Sequence, residues 1–514
     1  MSSASAPALA LRGIDKRFGA VHANRAVSFS AAAGSIHGLV GENGAGKSTL
    51  MNIVYGYYPP DAGEIEVGGK RVTIRRPSDA IAAGIGMVHQ HFMLVENFTV
   101  LENIVLGSGG RGGMRAELNR ARTELARIGR DYGLEAPLDE PIEELPVGVQ
   151  QRVEILKALY REARILILDE PTAVLTPREA DQLFLLLDRL RAEGKTVILV
   201  THKLREVMAI TDQVTVLRQG QVVSTLATRE TSPSDLAEKM VGRAVALRVE
   251  KKPRSPGPVA LSVEGLEVRD RWGVVRLRDA SFELRQGEIV AIAGVAGNGQ
   301  SELLSALAGL CQASAGKIVL QGREVGGGET AAVERRRLGL AYVPEDRLKE
   351  AIVGRFAAED NAVLGRHDGR PCTGRFGFLD RAAIRRGCEQ KMADWDVRPA
   401  EPERRMGAFS GGNQQKLVLA REIEAGPAVL IIGQPTRGVD IGAIEFIHRR
   451  LVELRDAGKA VLVVSVEMDE IMGLADRILV MTGGSIVGQL TRAEATEERI
   501  GLLMAGVPAG SPSA

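Results

Sequence analysis

Cysteine is nearly missing from this chain: 514 residues hold three, Cys311, Cys372 and Cys388. No two form a C-x-x-C pair and one must be left over, which excludes a disulfide framework and a zinc ribbon. Aromatic residues make up only 4%, too few for the base-stacking platforms of a single-strand nucleic-acid binder. Long apolar runs are missing too. The runs at 165–168 and 461–464 are strand length, far short of the roughly 20 residues of a membrane-spanning helix. The opening MSSASAPALALRG has neither the basic start nor the apolar stretch of a secretory signal. No sign of charge dominates: 66 Lys and Arg stand against 65 Asp and Glu, so the total gives no general polyanion-binding surface. These absences predict a soluble cytoplasmic protein, and the length predicts more than one domain.

Glycine is plentiful at 59 residues, and it punctuates a repeat. Gly34-Ser-Ile-His-Gly-Leu-Val-Gly41 recurs 253 residues on as Gly287-Glu-Ile-Val-Ala-Ile-Ala-Gly294. Leu145-Pro-Val-Gly-Val-Gln-Gln-Arg152 recurs 264 residues on as Phe409-Ser-Gly-Gly-Asn-Gln-Gln-Lys416, and the apolar run before Pro171-Thr172 recurs at that same offset before Pro435-Thr436. Offsets this steady mean a duplicated domain of about 250 residues. The expected domains are 7–247 and 259–507, joined by a linker at 248–258 that is rich in proline and charge and has no apolar period. In each half, strand-like segments alternate with helices, which argues for an α/β domain around a mostly parallel sheet. A helical stretch is inserted into it, with an amphipathic helix expected from Met114 to Tyr132.

Gly41-Glu-Asn-Gly-Ala-Gly-Lys-Ser-Thr49 matches G-x-x-x-x-G-K-[ST] between a strand (35–40) and a helix starting near Lys47. Gly41, Glu42, Asn43, Gly44, Ala45, Gly46 and Thr49 supply backbone that closes around a phosphate at a helix N-terminus. Lys47 reaches the β/γ-phosphates, and the Ser48 hydroxyl can ligate Mg²⁺. The run Ile165-Leu-Ile-Leu-Asp-Glu170 buries a strand and delivers Asp169, a metal-orienting acid, at its carboxyl end. Glu170 follows it as the group that polarises the attacking water. Leu138-Asp-Glu-Pro141 carries the same letters without an apolar strand and is read as a solvated loop.

With Ser410-Gly411-Gly412 followed by Gln414 and Gln415, the chain resembles the ATP-binding-cassette family along nearly its whole length. The resemblance implies two tandem P-loop ATPase domains, each a RecA-like α/β core with a helical signature subdomain and an antiparallel β portion. It implies head-to-tail pairing, with each ATP between one cassette's Walker motifs and the other's signature. It also implies that Gln90 is the Q-loop residue and a Mg²⁺ contact, that His202 is the switch histidine on the γ-phosphate, and that Phe18 stacks on adenine.

The second half has lost the matching chemistry. Gln300 stands where lysine should be, Gly433-Gln434 where Asp-Glu should be, Val466 for the switch histidine and Glu345 for the Q-loop glutamine. The first half's signature, with Pro146 in place of serine, is degenerate in turn. One hydrolytic site is therefore expected, from the first half's Walker motifs and the second half's Ser410, Gly411 and Gly412. The asymmetry, with Tyr342-Val-Pro-Glu-Asp-Arg347, resembles fused double-cassette subunits of sugar and nucleoside importers. The runs His89-Gln-His-Phe-Met-Leu94 and Pro171-Thr-Ala-Val-Leu-Thr176 look most like the simple-sugar and purine-nucleoside branch. That resemblance implies ATP and Mg²⁺, two membrane permease subunits received at 92–106, an extracytoplasmic binding protein, no nucleic acid, and a peripheral place on the cytoplasmic face of the inner membrane. The alternative is a soluble twin-cassette ATPase acting on ribosomes or DNA. Its ribosomal form usually keeps two intact sites and a long basic linker, and its DNA-repair form carries zinc cysteine pairs.

Overall fold

The strand Ile165–Asp169 is buried along its whole length, and its side chains leave alternately on two faces. Ile165 and Ile167 join one core, Leu166 and Leu168 another. A strand covered on both faces belongs in the middle of a layered α/β domain, and the computed structural model is built this way. It describes all residues except 1–5, 20, 90–91, 107–113, 173–174, 176, 247–248, 296, 329, 368, 370, 375–376, 505 and 507–514. The chain forms two compact units, Met1–Val245 and Ala246–Ala514.

The strands of the first unit are β1 (Leu9–Phe18), β2 (Val21–Ala31), β3 (Ile36–Val40), β4 (Ala62–Val67), β5 (Lys70–Val72), β6 (Ile85–Val88), β7 (Ile165–Asp169), β8 (Thr196–Thr201), β9 (Gln213–Arg218) and β10 (Gln221–Ala227). They make an antiparallel sheet ordered β2-β1-β4-β5 and a six-stranded sheet ordered β10-β9-β3-β8-β7-β6. All of the second sheet is parallel except β10. The first core holds the antiparallel sheet, through Leu9, Leu11 and Phe29, against Leu50, Ile53 and Val54 of the helix Lys47–Tyr55. The second core packs the other sheet face under the helices Met114–Tyr132 and Val147–Tyr160, through Leu125, Ile128, Val153 and Ile155. The helix expected at Met114 to Tyr132 is present with those limits.

The second unit repeats the plan with β11 (Val259–Arg269), β12 (Val275–Arg285), β13 (Ile289–Ala293), β14 (Ala315–Leu320), β15 (Arg323–Glu324), β16 (Leu340–Val343), β17 (Val429–Gly433), β18 (Ala460–Ser465), β19 (Arg477–Thr482) and β20 (Ser485–Thr491). Its sheets are ordered β12-β11-β14-β15 and β16-β17-β18-β13-β19-β20. Again alternate residues of one strand feed two cores, Val429 and Ile431 into one, Leu430 and Ile432 into the other. The proline-rich segment before β11 lies along this unit: Val249 packs on its core, and Lys251 Nζ donates to the carbonyls of Leu474 and Ala475, both at 2.7 Å.

The two signature helices begin differently. Ser410 caps Gly411–Ile423 with its hydroxyl, which accepts from the Asn413 N–H. Pro146 begins Val147–Tyr160 with no side-chain cap. Ser410→Ala is therefore expected to lower the stability of the second unit by about 1 kcal/mol, while Pro146→Ala leaves the first within about 0.5 kcal/mol. Urea unfolding of the full chain measures both, and equal losses would contradict the capping difference.

Candidate nucleotide site

β3 ends at Val40, and the chain turns through 41–46 into the helix Lys47–Tyr55. Gly46, at the N-cap, has φ 99°, a left-handed backbone that a side chain strains, and a Cβ there would stand 2.3 Å from the Ala23 carbonyl oxygen. Two neighbours hold the loop. Asn24 of β2 donates Nδ2 to the Gly46 carbonyl at 3.1 Å, and the Gly220 N–H, in the turn between β9 and β10, donates to the Ala45 carbonyl at 3.0 Å. Ala45 is buried, Asn43 and Gly44 are exposed, and Glu42 and Thr49 lie between. The first N–H groups of a helix have no intrahelical acceptor, so this turn offers donors to an anion.

The charged groups gather around that turn. Lys47 is 5% exposed, and its Nζ donates to the carbonyls of Gly41 at 2.7 Å and Glu42 at 3.1 Å. Burial pushes its pKa down, while Glu170, Asp169 and Glu42 pull the other way. Asp169, at the end of β7, is 6% exposed. Burial holds its carboxyl above the usual range against a hydrogen bond from Ser48, and its Oδ1 is buried without a partner. A buried carboxylate oxygen lacking a partner, beside a serine hydroxyl and a phosphate-binding turn, suits a hard divalent cation. Among the described residues no group of three His, Cys, Asp or Glu side chains could hold a metal by itself, so phosphate and water would complete the coordination.

Glu170 has φ 50°, a strained conformation that clusters at functional sites; its N–H donates to the Val200 carbonyl at 2.8 Å. His202, one residue beyond β8, places Nδ1 2.9 Å from Glu170 Oε1. Burial raises the Glu170 pKa, but the hydrogen bond and charge of His202, with Lys47 and Lys203, outweigh it and hold the group below the usual carboxylate range. It is therefore ionised at neutral pH and can accept a proton.

Phe18 ends β1 with 42% of its surface exposed, edge-on to Tyr58 at 5.2 Å between centroids. It is surface rather than core, with Lys16 Nζ over its ring at 5.5 Å from the centroid, and Lys16 is the cross-strand partner of Asn24. Gln90 lies outside the described residues. The other Asp-Glu pair sits in a turn, with Asp139 paired to Arg122 at 2.8 Å, a solvated loop as expected. Asn24 escaped the sequence reading: an Asn in a strand carries no motif, and only its contact with Gly46 gives it a role.

The second unit keeps the scaffold and changes the groups. Gly299 caps the helix Gln300–Ala308 with φ 93°. Gln300 is buried and donates Nε2 to the Val295 carbonyl at 3.0 Å, the position of the Glu42 carbonyl. Gln434 repeats the left-handed φ at 47° and the strand contact, to Val464 at 2.7 Å. Its Oε1 accepts from the Val466 N–H at 3.3 Å, where the first unit pairs Glu170 with a histidine. Ser410, Gly411 and Gly412 begin the signature helix of this unit, Ser410 exposed and Gly412 buried.

The family model described as ABC transporter matches residues 24–173 and again 277–437. The nucleoside import ATP-binding protein NupA of Lactococcus lactis subsp. cremoris is 44% identical over 96% of this chain and 97% of that protein. The guanosine import ATP-binding protein NupO of Bacillus subtilis is 45% identical over 96% of each. A crystal structure of archaeal ribosome recycling factor aABCE1 with ribosomal stalk protein aP1 aligns over 96% of this chain and 92% of that one, at TM-score 0.63 and 19% identity, a likeness of fold alone. Matched twice by the family model and along its length by these relatives, the chain belongs to the ABC transporter family, as an ATP-binding, ATP-hydrolysing protein with two cassettes.

Proposed function

We propose that the chain energises an importer of nucleosides or simple sugars from the cytoplasmic face of the inner membrane, with two permease subunits and an extracytoplasmic binding protein. The import function of NupA and NupO supports this reading. So do Met93 and Leu106, 57% and 52% exposed, apolar side chains near the two ends of the segment expected to receive a permease helix. No helix among the described residues is long and apolar enough to cross a membrane.

Hydrolysis is assigned to one site, and the observation that carries it is the Glu170–His202 pair beside Lys47 and Asp169. Adenine stacks on Phe18. The phosphates lie against the N–H groups of 41–49, and Lys47 exchanges its loop carbonyls for β- and γ-phosphate oxygens. Ser48 and Asp169, with Gln90 by resemblance, would hold Mg²⁺, which when bound would supply charge neutralisation at the phosphates. Glu170 accepts the proton of the attacking water, and His202 keeps that carboxylate oriented and reaches the γ-phosphate. Ser410, Gly411 and Gly412 begin the helix Gly411–Ile423, whose N-terminal partial charge suits a phosphate, the role that the family resemblance gives it.

Lys47→Ala and Glu170→Gln are each expected to lower ATP turnover by roughly 10²-fold or more, whereas Gln434→Ala leaves it within about threefold. A comparable loss from Gln434→Ala in a steady-state phosphate-release assay would sink the one-site model. His202→Ala removes the bond that lowers the Glu170 pKa and leaves the burial that raises it, so the acid limb of kcat/KM moves to higher pH; an unmoved limb would take the pair out of the mechanism. The importer reading is tested by mild-detergent capture of the tagged chain from its own cells. Two hydrophobic permeases are expected, and ribosomal proteins or DNA in their place would overturn it.

A further inference from the structure

The second unit carries a cavity of about 710 Å³ at the edge of its larger sheet. Glu288, just before β13, and Arg477, the first residue of β19, place it at the amino ends of those strands. The phosphate turn leaves the other end of β13, whose five residues span about 16 Å. Cavity and phosphate turn are therefore separate places. Pro253 and Pro256, in the segment before β11, form one wall.

Five arginines line this cavity: Arg254, Arg285, Arg455, Arg477 and Arg492. The carboxylates among them are already matched. Glu283 pairs with Arg285 at 2.6 Å, Glu288 with Arg477 at 2.7 Å and Asp476 with Arg455 at 2.9 Å. Behind them Lys251 also holds Asp476, at 3.0 Å, and Arg455 also holds Asp456, at 2.8 Å. Two guanidiniums are left without a carboxylate. Arg254 donates to the Asp456 carbonyl. The side chain of Arg492, half-buried, has no hydrogen bond or ion pair among the described residues. The excess is felt at Lys251: burial is the main cause lowering its pKa, Asp476 raises it, and Arg455 and Arg492 lower it again.

The first unit keeps the scaffold of this edge and little of its charge. Asp212 accepts from the Ile36 N–H and pairs with Arg191, as Asp476 does with Ile289 and Arg455. Gln213, however, starts β9 where Arg477 starts β19. Thr228 donates its N–H to the Asp212 carbonyl where Arg492 donates to that of Asp476. Ala32 stands two residues before Gly34, as Arg285 does before Gly287. One Arg–Asp pair is thus enough to build the edge, and the three added arginines serve something other than the fold.

We propose that this cavity binds an organic phosphate monoester of sugar-phosphate or nucleoside-monophosphate size, with its phosphate on the guanidiniums of Arg254 and Arg492. A guanidinium fork takes two phosphate oxygens at once, and the two unmatched charges equal those of the dianion. A phosphate fills only part of a volume that lies in the range of small-molecule sites. Gln489 faces the remainder: its Oε1 accepts from Arg477 at 3.2 Å, which leaves its amide N–H groups for a hydroxyl of the ligand. This site is independent of the cargo and of the nucleotide chemistry of the first unit.

The test titrates the full chain with ribose 5-phosphate in a calorimeter, since pentose phosphates and nucleoside monophosphates share that group. One equivalent is expected, and Arg492→Gln and Arg254→Gln each weaken it about tenfold or more, with ATP turnover unchanged. Ribose and inorganic phosphate are expected to bind at least about tenfold more weakly. Bound ligand also slows tryptic cleavage after Arg254, read from the two fragments that the cut releases. If Arg492→Gln lowers the melting temperature, Arg254→Gln, in an exposed segment, decides alone. No binding of ribose 5-phosphate overturns the proposal, and so does binding that both variants leave unmoved. Weakening by Lys47→Ala or Gln300→Ala instead would put the phosphate in a P-loop turn and overturn it too. Equal binding of inorganic phosphate would reduce the cavity to a simple anion site, and equal binding of ribose would remove the arginines from recognition; either result sinks the monoester.

Discussion

Charges removed from water must be compensated, and the first cassette gathers Lys47, Asp169 and Glu170 at the carboxyl ends of parallel strands in one sheet. The sheet order β3-β8-β7 makes this possible. The three strands are parallel and end on one side, so the phosphate turn after β3, His202 after β8 and the two acids after β7 converge on one crevice, the usual ligand position in such a sheet. Each group then finds its own partner: loop carbonyls for Lys47, the Ser48 hydroxyl for Asp169, the imidazole for Glu170. The antiparallel sheet and the turn at Gly220 are built around that crevice, and both touch the phosphate loop directly.

The second cassette meets the same constraint with fewer charges. Gln300 takes the buried place of lysine and still reaches a loop carbonyl, so the loop stays closed without an ammonium. Gln434 keeps a left-handed backbone that no longer serves a base. The scaffold outlasts the chemistry because strand pairing sets the turn, whereas the side chain at its tip is free to change. Beside Ser301 stands the carboxylate of Glu345, two residues beyond β16.

The signature helices show the opposite asymmetry. The helix whose start is capped by a serine belongs to the cassette with the depleted P-loop, and the helix that starts at a proline belongs to the cassette with the complete one.

The sequence by itself determined the duplication, the two α/β domains and the roster of groups kept and lost, because these follow from period, motif spacing and the identity of residues at matched positions. It also separated Asp169-Glu170 from Asp139-Glu140, since only the first pair follows a run apolar enough to be a buried strand. The tertiary structure decided what touches what. Asn24 under Gly46, His202 on Glu170 and the proline-rich segment held by Lys251 join residues far apart in the chain, and spacing along a chain carries no distance between such partners. Glu345 is the sharpest case. In the sequence, Gly433 and Glu345 lie 88 residues apart; once β16 lies beside β17, a Cβ on Gly433 would meet Glu345 Cγ at 2.4 Å and Leu304 Cδ1 at 2.9 Å, so the missing side chain of one leaves room for the other.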